Sequence, residues 1–534
     1  MLANAPALAR AGFRALTAPR ARRWAAALRD PAAAQAATLD RIVRLVAGTP
    51  YAEHLGLRVG VDYPRFAATV PIVDYEQVRP WIDGQVVTGR PALSREPPVV
   101  YERTSGSSGR AKLIPYPPAL LAAFSACFVV WAHDLAAHGP RLRTGRMFFG
   151  VSPAFQEGER TPTGVPISLA DDLAYLAPWL RRLFRRAWFV PPALHRVTDE
   201  RAFRGALAAV LVAEEGLEVV SVWSPTYFLA LLDTITARRD EIAAALRAGR
   251  TGPPGAAVPL PSVPPARVRL LERDPIPWSR LWPALKLVSC WTDGASAAFV
   301  PALRRAFPRA LIQGKGLLAT EAPVTVPLIG APAPVPLLDE VFLELEAPDG
   351  TVWRLHEAED DVEYGVIVTQ PGGLLRYRLG DRVRARGRVG RTPALRFLGR
   401  ARVSDLVGEK LGEDFARSAV ASVLGADGHC TYLSPERGGE APRYRCVTDH
   451  PGARDRGAEL GARLDAALRE AFQYAQARRL GQLGPVHVAY RADARAAYEE
   501  TLRGRGLRWG NIKFETLLTD PAAALPAPPL AARR

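Results

Sequence analysis

The chain has 534 residues, more than one ordinary core accommodates, so two or more domains are expected. Apolar residues make up 48% and charged residues 23%, the proportions of a folded globular protein rather than a disordered one. The net charge of +16 admits a nucleic-acid partner, but the basic residues are dispersed, with no run of five and no RNP-type or recognition-helix signature. A diffuse positive field suits small anionic substrates equally well.

In chain order, residues 1–29 carry six arginines and no acid. That pattern is shared by mitochondrial transit peptides; a solvated helix in an arginine-rich protein is the preferred reading. Residues 1–90 read as largely helical. "PPVVYER" reads as a strand, because Val99, Val100 and Tyr101 are β-formers. It runs into "TSGSSGRAKLIP", Thr104 to Pro115. The apolar run Ala119 to Ala132 is too short to span a bilayer and predicts a buried helix. Strands follow at "RMFFGVS", "LEVVSV", "ALKLVSC" and "RALIQ", separated by helical stretches and by a proline-rich loop over 251–266. Strands alternating with helices argue for an α/β fold with a mostly parallel sheet. Residues 336–400 differ: "VFLELE", "YGVIVTQ", "LLRYRLGD" and "ALRFLGR" predict short antiparallel strands, a small β-barrel-like part. The expected division is a large N-terminal domain, 1–400, and a small α+β C-terminal domain, 401–534.

Cys127, Cys290, Cys430 and Cys446 are scattered, with no metal-binding spacing, and are expected to be buried and reduced in a cytoplasmic protein. Of 70 basic residues only five are lysine: Lys112, Lys286, Lys315, Lys410 and Lys513. Where coding bias favours arginine, a surviving lysine is enriched for sites that need a compact ammonium. Lys286 and Lys315 read as surface or structural, with some weight for Lys315 because it sits in the turn before Glu321. His195 and His356 have no partner pattern.

A Gly/Ser/Thr-rich loop after a strand suits phosphates: glycine admits close backbone approach, hydroxyls donate, and a lysine adds charge. No Ser or Thr follows Lys112, so this is not the Walker form, and alone the loop is as readily a linker. Thr320 and Glu321 in "LLATEA" end a predicted strand, where α/β sheets bind ligands, though Glu321 could equally cap a helix. Asp381 in "YRLGD" is placed in a tight turn, as a ribose acceptor or a plain turn residue. "VWSPTYF" (222–228) reads as acyl-pocket lining or as core.

The ordered set TSGSSG-x-x-K, ATE, YRLGD, GRARVSD and GNIK resembles the adenylate-forming superfamily. "FAATVPIVDYEQVRPWID", "KLIP", "GVPISLADDLAYL" and "VGEKLGEDF" are more finely similar to one branch, the Gretchen Hagen 3 family of acyl-acid amido synthetases. The resemblance covers roughly residues 40–520. It implies that Thr104, Ser105, Gly106, Ser107, Ser108, Gly109 and Lys112 hold the phosphates of ATP. It further implies that Glu321 helps hold Mg²⁺, that Thr320 lies near the α-phosphate, and that Tyr377, Asp381 and Arg400 contribute to the nucleotide site. The resemblance also implies that Gly408 and Lys410 fall in a hinge stretch and that Lys513, on a mobile C-terminal domain, is the catalytic cation. Leu317 and Leu318 stand where an adenine-stacking aromatic is usual, and "GNIK" replaces the usual GK. The implied activity is activation of a carboxylic acid as an acyl-adenylate, then transfer to an amine, an amino acid above all. Coenzyme A as acceptor is the runner-up, and a basic nucleic-acid-binding protein the reading from another class. A monomer acting without nucleic acid or membrane is expected.

Overall fold

The computed structural model describes residues 5–104, 112–150, 159–168, 175–187, 189–253, 256–400, 403–425, 429–438, 441–494, 497–498 and 516–518. The chain forms two compact units, Met1–Thr104 with Leu113–Gly399, and Ser105–Lys112 with Arg400–Arg534.

The first unit opens with helices α1 (Ala5–Ala27) and α2 (Pro31–Val46). Asp30 caps α2 by accepting from the Ala33 N–H at 3.2 Å, and Pro31 supplies a first-turn residue with no N–H to satisfy. Leu39, Ile42, Val43 and Val46, at helical spacing, form its buried face. α1 is not solvated all round, as its composition suggests. Trp24 and Leu28 are buried, the Trp24 indole N–H donates to the Pro336 carbonyl at 3.0 Å, and Arg20 forks onto Asp339 at 2.8 and 3.0 Å. Helix α3 (Tyr75–Thr88) leads to β1 (Val100–Thr104) and β2 (Lys112–Tyr116), which form a two-stranded sheet. Helix α4 (Pro118–His138) follows. Among the described residues it is the one helix long and apolar enough to cross a membrane, and 61% of its apolar window is buried inside the unit.

Next come β3 (Arg146–Phe149), α5 (Glu200–Ala213), β4 (Leu217–Ser221), α6 (Pro225–Ala237), β5 (Leu287–Ser289) and β6 (Leu311–Gln313). The four strands make a parallel sheet in the order β3-β4-β5-β6. β4 and β5 are buried at every residue, their apolar positions facing both sides of a covered sheet and their polar ones, Glu218, Ser221 and Ser289, buried with them. All four strands anticipated from the apolar runs are realised here. Cys127 and Cys290 lie inside, where burial pushes each thiol up to about 12, so both remain protonated.

Then β7 (Phe342–Glu346), β8 (Val352–Arg354), β9 (Glu363–Thr369), β10 (Tyr377–Val389) and β11 (Thr392–Arg400) form a five-stranded sheet, order β8-β7-β9-β10-β11, with β8 and β11 at its edges. Just before β10, Arg376 adopts φ 42° and is 7% exposed. Its guanidinium bonds Glu344 at 2.8–3.1 Å and the carbonyls of Ala67 and Val70, which holds that strained backbone in place.

The second unit starts with a clip, β12 (Val403–Ser404) against β13 (Leu411–Gly412). After α7 (Glu413–Leu424), strands β14 (Thr431–Glu436), β15 (Arg443–Thr448) and, beyond α8 (Ala453–Leu468), β16 (His487–Tyr490) make a three-stranded sheet. β14 and β15 are antiparallel, β15 and β16 parallel, so this unit is a small α+β mix.

Candidate active site

The site is built around the exit of β6. The chain turns at Gly314–Lys315–Gly316, where Gly316 takes φ +71°. A Cβ there would meet Thr325 Oγ1 at 2.6 Å, the oxygen that accepts from the Leu317 N–H at 2.7 Å, so glycine is required. Leu318 then bridges Pro323, and Ala319 and Ala322 exchange backbone bonds of 3.1 and 3.2 Å. Thr320 and Glu321 therefore sit at the tip of a tight reversal. No helix starts here, which removes the helix-cap reading of Glu321, and the pair lies seven residues beyond β6 rather than at its end.

Glu321 is 2% exposed, and its Oε2 has no hydrogen-bond partner. A buried carboxylate oxygen without a donor is costly unless something else satisfies it. An oxygen donor of this kind suits a hard cation that completes its shell with phosphate and water. Among the described residues no three His, Cys, Asp or Glu side chains converge as a self-sufficient metal cage. Mg²⁺ held by one carboxylate and by phosphate oxygens does not need one.

Tyr116, the last residue of β2, donates its hydroxyl to the Thr320 carbonyl. Its ring stacks on Phe124 at 5.4 Å and tilts against Tyr175 at 6.0 Å. Burial, with Tyr175, Glu102 and Glu321 adding negative charge nearby, pushes the phenol far up, so it stays a neutral donor. The strand that begins at Lys112 is thereby tied to the Thr320–Glu321 turn. Tyr116 and Glu102 (8% exposed) were not singled out from sequence. A tyrosine and a glutamate within β-strands carry no local signal, and only the fold brings Glu102 and Glu321 near Tyr116.

Lys112 opens β2 and is half-buried. Thr104 closes β1. The loop residues Ser105, Gly106, Ser107, Ser108 and Gly109 lie outside the described residues, as does Lys513. Asp381 is 3% exposed and lies not in a tight turn but within β10. There Arg382 pairs with Gly365 and Arg378 with Ile367, so three residues of β10 oppose one of β9. Gly380, with φ +76°, absorbs the resulting bulge, which re-aims the strand at Asp381. Tyr377 is 1% exposed and packed in the main core, and Arg400 closes β11. In the second unit, Gly408 (φ +108°) and Lys410 (φ +46°) occupy the loop of the β12–β13 clip. Of the 222–228 stretch, Phe228 is core, stacked on Phe307 at 5.4 Å, whereas Trp223 lies by Lys315.

The profile of the GH3 family N-terminal domain matches residues 20–312, and that of the GH3 family central domain matches residues 340–400. A "GH3 domain-containing protein" of Homo sapiens is 28% identical over 306 residues, and the match spans 53% of this chain but only 57% of that protein's length. The "Probable indole-3-acetic acid-amido synthetase GH3.12" of Oryza sativa subsp. japonica is 26% identical over 549 residues, 89% of each chain. Among solved structures, "AtGH3.15 acyl acid amido synthetase in complex with 2,4-DB" superposes with TM-score 0.62 at 19% identity over 94% of each chain. A 2-hydroxyisobutyryl-CoA ligase in its thioesterification state superposes with TM-score 0.53 at 14% identity, covering 86% of this chain and 87% of that one. Two family profiles matched in order, the first across more than half of the chain, on a fold shared with an acyl acid amido synthetase, show that the chain belongs to the GH3 family.

Proposed function

We propose that this chain is an ATP-dependent ligase that joins a carboxylic acid to an amine, an amino acid in the first instance, through an acyl-adenylate. The observation that carries the reading is the Thr320–Glu321 turn, with the unsatisfied oxygen of its buried carboxylate, tied through Tyr116 to the strand that follows the Gly/Ser loop. Membership of a family with amido-synthetase relatives supports it.

The chemistry follows from what a carboxylate lacks. It is a poor electrophile, so one of its oxygens first attacks the α-phosphorus of ATP, and the bond to pyrophosphate breaks. An amine then attacks the acyl carbon, loses a proton and expels AMP. In this scheme Thr104, Ser105, Gly106, Ser107, Ser108, Gly109 and Lys112 bind the phosphates, Thr320 orients the α-phosphate, and Asp381 accepts from ribose hydroxyls. Glu321 holds Mg²⁺, which neutralises phosphate charge when bound. Tyr116, a neutral donor to the Thr320 carbonyl, fixes the turn. Lys513 supplies a cation where negative charge develops at the α-phosphate. The same proposal has the enzyme acting on small molecules as a cytoplasmic monomer.

The test is acid-dependent exchange of labelled pyrophosphate into ATP, followed by mass spectrometry of reactions given pooled amino acids. Amide products support the reading. Thioesters formed only with coenzyme A would replace it, and no exchange with any acid would refute it. Lys112→Ala, on a half-buried residue at a strand start, is expected to weaken ATP binding in calorimetry with melting temperature unchanged. Unaltered ATP affinity in a folded variant removes Lys112 from the site.

A further inference from the structure

Glu413 stands between two parts of the second unit. It is the first residue of α7 and follows β13 directly, so its backbone adjoins the β12–β13 clip. Its side chain reaches elsewhere. The Thr516 N–H donates to Glu413 Oε1 at 2.7 Å and the Leu517 N–H to Glu413 Oε2 at 2.6 Å, across 103 and 104 positions of chain.

Residues 516–518 run along β14, the edge strand of its sheet. Leu433 of β14 donates its N–H to the Thr516 carbonyl at 2.6 Å and accepts the Leu518 N–H at 2.8 Å, facing Leu517 in a parallel bridge. All three residues are buried, and Leu518 packs with Tyr432, Val447 and Tyr498. This pairing leaves over the N–H groups of Thr516 and Leu517. A buried amide without an acceptor is costly, and Glu413 meets both with one side chain. A carboxylate is needed for that. Both of its oxygens accept, whereas a glutamine offers one oxygen and turns an NH₂ toward the second amide, donor against donor. Two charge-assisted bonds to successive amides fix the direction of the segment as well as its distance.

Lys513 stands three residues before Thr516 in the chain, no more than about 11 Å of extended backbone. We infer that Glu413 is a positioning residue: it clasps the segment that follows Lys513 and so ties the proposed catalytic cation to the clip. The inference rests on the ligase reading for the role of Lys513, and on Glu413 and residues 516–518 alone for the clasp. A cation stabilises developing charge only where it is held, and a misplacement of about 1 Å can cost about 10²-fold in rate. Without Glu413 the segment keeps its two bonds to Leu433, a single point of attachment at a sheet edge. A purely structural clasp would act on stability and treat the two half-reactions alike.

Hydrogen–deuterium exchange of the full-length protein, followed in peptides that contain Thr516 and Leu517, reads the clasp without any reaction. Both amides are expected to be protected, and Glu413→Gln is expected to speed their exchange at least about tenfold. Fast exchange of both in the unaltered protein overturns the inference, and that measurement needs no variant to fold. Unchanged protection in Glu413→Gln overturns it too. Glu413→Gln is further expected to slow acyl-adenylate formation about 10–10²-fold while amide formation from supplied acyl-adenylate stays within about twofold. In a Lys513→Ala background it is expected to add no further loss, because both changes then remove the same interaction. Equal slowing of both half-reactions, or losses that multiply in the double variant, overturns the positioning role and leaves Glu413 a structural residue. Absence of pyrophosphate exchange with every acid in the unaltered protein refutes the ligase instead, and the amide exchange still decides whether Glu413 holds the segment.

Discussion

Two buried glutamates in the first unit show how burial divides residues between architecture and chemistry. Glu218, on β4, is fully buried, yet every direction of its carboxylate is met: Lys286 at 2.5 Å, and the N–H groups of Arg143, Thr144 and Gly145 at 2.7–2.9 Å. Burial alone would raise its pKa, but the lysine and the three N–H donors outweigh it and hold the group below the usual 4.5. Its contribution to stability is therefore complete above pH 4.5 and lost as pH falls through the lower folded value. Glu218→Ala, which strands Lys286 and three amides, is expected to cost about 3–5 kcal/mol in denaturant unfolding at neutral pH. Glu321 is the opposite case. Its unmet Oε2 contributes nothing to the fold, so Glu321→Gln should hold or raise the melting temperature while pyrophosphate exchange falls at least about 10²-fold. Loss of stability with normal exchange would make Glu321 a structural residue.

At the scale of elements, the β12–β13 clip is held by a side chain that folds back into it. Glu409, 1% exposed, accepts from the N–H groups of Leu406 and Val407 at 2.7 and 2.8 Å, and from the Tyr444 hydroxyl. Gly408 N–H meets Asp405 Oδ1 at 2.6 Å, and the backbone reverses through Gly408 and Lys410, both at positive φ. Burial, reinforced by the neighbouring Asp405, pushes Glu409 up to about 7. The folded second unit thus binds a proton that the unfolded chain releases near 4.5, and this contribution is lost as pH rises from about 4.5 through about 7. Glu409→Gln has no such titration. The stability of the unaltered protein relative to Glu409→Gln is expected to decline over that interval, as read by urea unfolding of the full chain at pH 5, 6, 7 and 8. A gap that stays constant would show that Glu409 does not titrate there. If the clip serves as the hinge, stiffening it with Gly408→Ala should slow turnover more than it changes ATP affinity.

At the scale of the whole molecule, the proposed catalytic cation and the proposed metal carboxylate belong to different compact units. Separating the half-reactions tests that division of labour. Lys513→Ala is expected to slow acyl-adenylate formation about 10²–10³-fold, and to slow amide formation from supplied acyl-adenylate far less. Intact adenylation would remove Lys513 from the catalytic step. The sequence by itself determined what is local in this protein. Short apolar runs bounded by turn residues are set by the burial of neighbouring positions, so "RMFF", "LEVVS", "LVS" and "LIQ" were legible as strands. The motif order was legible as a family likeness for the same reason: it is written in contiguous residues. What only the tertiary structure decided is contact between residues far apart in the chain. Tyr116 reaches Thr320 across 204 positions, and Lys315 reaches Ser221 across 94. Neither pairing carries a local signature, although Thr320 and Lys315 stand out by themselves. Likewise Asp381 reads as a turn residue because Gly380 precedes it, yet pairing with β9 draws the segment into a strand and turns the glycine into a bulge. Sheet pairing and burial are satisfied by the whole chain at once, and a window of sequence contains only one side of each such contact.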